Sequence, residues 1–149
     1  MSRGYRVGEA NSSKKVAPIP IYQAPSVVAG AFTYSATNSY QVVNSSDGYH
    51  IYSTGNSPST VQFWNTTNFA NGGNKYLTLT YTRTGSGTLC NLVFGSKSID
   101  IPVSSSSNTI QLDVSDLPDD AAYTITINNN TGNSQSSYLL MTFLGFTNS

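Results

Sequence analysis

Between Lys75 and Arg83 hydroxyl-bearing and apolar side chains alternate. Leu77, Leu79 and Tyr81 fall on one side, and Tyr76, Thr78, Thr80 and Thr82 on the other. Side chains that repeat every second residue belong to an extended backbone, and hydroxyls opposite hydrocarbon mark a strand buried on one face only. The pattern recurs at Thr109-Ile-Gln-Leu-Asp-Val114, with Ile110, Leu112 and Val114 inward, and at Tyr123, Ile125 and Ile127. No stretch sustains a helical period; at most one turn fits Ser115-Asp-Leu-Pro-Asp-Asp120.

Turn chemistry divides the rest into short strands. Phe32-Thr-Tyr-Ser35, Tyr40-Gln-Val-Val43, Tyr49-His-Ile-Tyr-Ser53 and Thr60-Val-Gln-Phe-Trp64 are separated by Gly-, Asn-, Ser- and Pro-containing clusters, the longest being Asn65 to Asn74. Gly85-Ser-Gly87 predicts a hairpin between the strand ending at Arg83 and Leu89-Cys-Asn-Leu-Val-Phe94. Pro102 predicts an edge position or a bulge after Ser98. Nine or ten strands at this spacing predict an all-β fold, an antiparallel jelly-roll-like β-sandwich over residues 29–149. Tyr138 to Phe146 is apolar on both faces, which predicts a central strand whose second face is covered by a loop, by the N-terminal segment or by another subunit.

Residues 1–28 break the pattern. Arg3, Arg6, Lys14 and Lys15 are four of the seven cations and Glu9 is the only glutamate, so this segment sums to +3. The body sets Lys75, Arg83 and Lys97 against six aspartates, a sum of −3, and only 9% of the whole chain is charged. Pro18, Pro20 and Pro25 hold the local backbone extended, and Ile19, Ile21 and Tyr22 are too apolar for a solvated linker. An extended N-terminal arm lying on its own body or a neighbour is expected. Arg3, Arg6, Lys14, Lys15, Ile19, Ile21 and Tyr22 are its expected contacts. Four separated cations without a dense basic run point the arm to protein and argue against nucleic acid.

Catalytic signals are poor. His50 is the only histidine, which excludes a metal site built on two, and no Gly-X-Ser-X-Gly elbow occurs. Asp116, Asp119 and Asp120 cluster without a spaced calcium loop, so turn chemistry is favoured there. A chain without an enzymatic function, metal or cofactor is expected. Cys90 stands alone among Leu89, Leu92, Val93 and Phe94, the setting of a core residue. No transmembrane run or signal-peptide pattern is present. The remaining constellation is aromatic and amide. Tyr49, Tyr52, Trp64, Asn65, Asn68 and Phe69 offer rings to stack on sugars and amides to bond their hydroxyls, making a glycan a candidate ligand.

Tyr76-Leu-Thr-Leu-Thr-Tyr81, the hairpin after it, Thr109 to Val114, Tyr123-Thr-Ile-Thr-Ile-Asn128 and the closing apolar strand resemble the galactose-binding-like, carbohydrate-binding-module type of jelly roll. That resemblance covers about half the chain and lacks the family's usual calcium ligands, so it assigns no binding residues here. The same fold occurs in viral capsid, decoration and fibre proteins. With no signal peptide, a cytoplasmic origin in a host and a virion location are expected. The leading expectation is then a phage structural protein, a capsid decoration (cement) or short fibre subunit. The arm would grip other capsid or tail proteins, in a homo-oligomer that analogy makes a trimer. The alternative is a soluble glycan-binding module for host attachment or polysaccharide capture.

Overall fold

A computed structural model describes residues 17–28, 33–37, 39–40, 47–53, 59–64, 72–84, 90–118, 124–129 and 139–149. They form twelve strands: β1 (Ile19–Gln23), β2 (Ser26–Val27), β3 (Thr33–Thr37), β4 (Ser39–Tyr40), β5 (Tyr49–Ser53), β6 (Ser59–Trp64), β7 (Tyr76–Arg83), β8 (Asn91–Phe94), β9 (Lys97–Asp100), β10 (Ser104–Asp113), β11 (Thr124–Asn129) and β12 (Leu139–Thr147). One sheet runs β10-β7-β12-β1-β2, with β5 also paired to β12 and β4 to β5; the other runs β3-β6-β11-β8-β9. Every pairing is antiparallel. The result is the all-β sandwich that the alternation predicts.

The inner faces supply the core. Leu77, Leu79, Tyr81, Leu139, Met141, Leu144 and Phe146 from the first sheet and Val61, Phe63, Leu92, Phe94, Ile125 and Ile127 from the second are all buried. Phe94 and Phe146 meet edge to face, ring centroids 5.4 Å apart, and so join the two layers. Cys90 belongs to this core. Arg83 is buried beside it and donates from Nη1 to the carbonyl of Ile101 (2.6 Å), while the Tyr81 hydroxyl donates to the carbonyl of Pro102 (2.7 Å). These two bonds fasten the passage from β9 to β10 onto β7. Pro102 thus follows an edge strand, in keeping with its missing N–H.

Two expectations need correction. Gly85-Ser-Gly87 does not close a hairpin: β7 pairs with β10 and β12, whereas β8 pairs with β11 and β9. β7 and β8 belong to different sheets, and Leu92 and Phe94 of β8 are buried from the second of them. Nor does the body begin at residue 29. β1 pairs with β12 from Ile19 opposite Phe146 to Gln23 opposite Phe143, and β2 pairs back on β1. Ile21 and Tyr22 are fully buried in this chain's own core and Ile19 packs against it, so these three contacts are internal. Pro20 is accommodated where the register shifts between Pro20 and Tyr22, since a bulge relieves the need for its N–H. Asn74, itself buried, donates to the carbonyl of Ala17 (3.1 Å) and fixes the point where the chain enters the sheet. Arg3, Arg6, Lys14 and Lys15 lie outside the described residues.

β12 is central, between β7 on one side and β1 and β5 on the other. Its double apolar character has a simple origin. The register shifts between Met141 and Phe143, so Leu139 and Met141 point inward before the bulge and Leu144 and Phe146 after it. Gly48 crosses this strand with φ of 137°; an added Cβ would lie 2.5 Å from the Met141 carbonyl oxygen and 2.8 Å from Leu140 Cδ1. Only glycine fits that crossing.

Candidate functional site

β-branched hydroxyl residues alternate with leucines on β7, so folding places Thr78 and Thr80 on the outer face of the first sheet, where their neighbours on β10, Gln111 and Thr109, are polar. Thr78 Oγ1 lies 2.7 Å from Thr147 Oγ1 and accepts from Gln111 Nε2 at 3.2 Å, a chain of side chains over β12, β7 and β10. Thr80 Oγ1 is 3.0 Å from Thr109 Oγ1, and Thr142 Oγ1 donates to the Thr80 carbonyl at 3.2 Å. Three strands at their usual spacing make this band roughly 10 Å wide.

The second sheet carries a similar outer face. Asn128 Nδ2 donates to Asn91 Oδ1 (2.8 Å), Thr60 Oγ1 donates to Asn128 Oδ1 (3.3 Å), and Gln62 Nε2 donates to Thr126 Oγ1 (3.2 Å). Cross-strand bonds of this kind restrict rotamers before any ligand arrives, lowering the entropy lost on binding.

Charged groups sit at the margins. Asp113 Oδ1 accepts from the Ser115 hydroxyl (2.6 Å) and amide (2.9 Å), which hold its carboxyl below the usual range. Lys97 Nζ lies 2.8 Å from Asp116 and lowers that carboxyl in the same way. The first is a local turn contact, whereas the second ties Asp116 to β9; Asp119 and Asp120 lie outside the described residues. Among the described residues no group of three His, Cys, Asp or Glu side chains could hold a metal ion. His50 Nε2 is 3.7 Å from Asp47 Oδ2, a contact between residues three apart at the start of β5.

Burial first, and the Asp47 carboxylate second, push the Tyr22 hydroxyl above its ordinary range. A folded-state value above the unfolded one preserves stability below about pH 10 and removes it as pH rises through the folded value. Urea midpoints measured from pH 8 upward should therefore fall on the alkaline side. Tyr22→Phe should flatten that fall; an unchanged alkaline slope in the variant would show that Tyr22 is not its source.

One member of the expected aromatic site needs correction. Tyr49 is fully buried and meets Tyr22 edge to face at 5.6 Å, so its ring is a core element and cannot stack on a sugar. The cause is pleat parity: Tyr49 and Ile51 face inward on β5. Tyr52 lies opposite Tyr40 in the β4–β5 ladder, and Trp64 opposite Thr33 and Thr124 on β6. Asn65, Asn68 and Phe69 lie outside the described residues. What the sequence reading passed over is the threonine–glutamine band itself. Its signal was present in the outward set Tyr76, Thr78, Thr80 and Thr82.

No family model matches the chain, and no curated protein matches it in sequence. Solved structures do. A family 29 carbohydrate-binding module superposes with a TM-score of 0.64 at 15% identity, over 90% of this chain and 94% of that one. A family 29 module from Piromyces equi gives 0.62 at 10% identity, over 89% and 91%. A variant module complexed with mannohexaose gives 0.62 at 12% identity, over 91% and 94%. The fold is thus a β-sandwich of the carbohydrate-binding-module kind. At these identities the likeness is one of fold.

Proposed function

We propose that this chain is a non-catalytic glycan-binding module. The observation that carries the reading is the fold likeness along nine-tenths of both chains to modules among which complexes with mannohexaose and cellulohexaose are known. The chemistry of the described surface supports it. Both sheets present ordered hydroxyl and amide groups, the partners that neutral polyols need, with few charges to desolvate. A supply of acid–base pairs is not required of such a module.

The virion reading has less support. It rested on the lack of a signal-peptide pattern, on fold analogy and on an arm spanning residues 1–28, and of that arm 19–23 and 26–27 are strands of the sandwich. Neither the sheet geometry nor the structural neighbours favour a capsid or tail partner, a homo-oligomer or a virion location over glycan binding.

Affinity electrophoresis of the full chain through gels containing glucomannan, hydroxyethylcellulose or galactomannan tests the proposal. Retardation by at least one polysaccharide, relative to serum albumin, is expected. Unaltered mobility in all three, together with flat calorimetric titrations with mannohexaose and cellohexaose, would argue against a glycan role.

A further inference from the structure

Phe143 is the large apolar side chain that the β12 bulge turns outward, and how it lies on the sheet is informative. Thr80 stands opposite it on β7 and Gln23 opposite it on β1. Its ring does not rise from the sheet. A Cβ built on Gly145 would sit 2.9 Å from Phe143 Cζ, so the ring reclines along the strand and occupies the space that glycine leaves. That Cβ would also lie 2.8 Å from the Ile19 carbonyl oxygen and 2.9 Å from Pro20 Cα. Gly145 is therefore the residue that lets a phenyl ring lie down between β1 and β7. The ring is only partly buried.

The threonine–glutamine band borders this ring. Gln111 is exposed and donates one N–H to Thr78, and its amide carries a second N–H and an acceptor oxygen besides. Thr80 and Thr109 share one hydrogen between two hydroxyls, which leaves acceptor positions and one further donor. Asp113, at the band's margin, is already engaged by Ser115.

From this geometry we infer that the outer face of the first sheet is a glycan-binding platform, on which the Phe143 ring stacks against a pyranose and Gln111, Thr80 and Thr109 bond its hydroxyls. The occupant is an extended, neutral hexopyranose chain. A face with a flat ring and fixed neutral donors and acceptors matches a ligand with C–H-rich ring faces and equatorial hydroxyls, and offers nothing to an ionic one. This inference rests on the glycan-binding reading and adds the face, the stacking ring and the bonding groups.

Calorimetric titration of the full chain with mannohexaose and cellohexaose tests it, with circular dichroism confirming that each variant is folded. Phe143→Leu keeps an apolar side chain on β12 but removes the flat ring, and should weaken binding about tenfold or more. Gln111→Ala, at an exposed position, should weaken it severalfold even if the Phe143 variant fails to fold. Gln62→Ala, which tests the outer face of the opposite sheet, should weaken binding less than either. Unchanged affinity in the Phe143 and Gln111 variants, with loss in Gln62→Ala or Trp64→Ala, would overturn the platform and move the site to the other sheet while glycan binding stands. A native chain that binds neither hexasaccharide nor any of the three polysaccharides would overturn both.

Discussion

Deleting residues 1–28 is expected to abolish cooperative folding, whereas deleting residues 1–16 removes no described strand and should leave the thermal transition in place. The longer deletion takes away β1 and β2 and with them the fully buried Ile21 and Tyr22. Each such side chain contributes about 1.5–3 kcal/mol by burial alone. The cut also strips backbone partners from β12 between Phe143 and Phe146, and the contact of Tyr22 with Tyr49. Each lost hydrogen bond costs about 0.5–1.5 kcal/mol. Together these rival the 5–15 kcal/mol that typically separates a folded domain from its unfolded chain. Thermal melts followed by near-ultraviolet circular dichroism distinguish the outcomes. A 29–149 fragment that melts cooperatively near the full-length temperature would return β1 to the status of a detachable arm.

Why β1 was hidden and β7 was plain is a matter of local physics. On β7 the alternation runs from Tyr76 to Thr82, and Leu77, Leu79 and Tyr81 land on the inner face as their parity assigns. On β1 the prolines obscure the signal. Pro20 reads as hostile to a strand interior, yet the register shift beside it removes the conflict. Strand existence follows from parity, but pairing does not: nothing in Gly85-Ser-Gly87 says whether the chain turns back or crosses to the other layer.

The site was less legible for the same two reasons. Tyr49 and Tyr52 have opposite parity on one strand, so they cannot share a surface, and that much was open to inspection. Phe143 was not. Strict period 2 from Leu139 and Met141 would send Phe143 inward, and only the bulge at residues 142–143 reverses the phase. A bulge leaves no dependable mark in one sequence. Gly145 carries a faint one, since glycine within an apolar strand often signals a close approach.

Phe146→Ala is expected to destabilise the protein by about 3–5 kcal/mol, the range for removing a fully buried phenylalanine. Phe146 has no exposed surface, lies opposite both Leu77 on β7 and Ile19 on β1, and contacts Phe94 of the other sheet edge to face. Its loss opens a void at the junction of the two layers, where neither sheet can close in without shifting its hydrogen-bonded neighbours. Urea denaturation monitored by Trp64 fluorescence gives the magnitude. A double-mutant cycle with Phe94→Ala separates the ring–ring contact, expected at about 0.5–1.5 kcal/mol, from simple burial. Strictly additive losses would mean that the two rings only share a core; coupling in that range would make their contact one of the joints by which the sheets hold the outer face of the first at a fixed curvature. Because Phe146 and Phe143 belong to one strand on opposite sides of the sheet, the cycle also bears on the platform. A folded Phe146→Ala variant should bind hexasaccharide more weakly only to the extent that β12 moves.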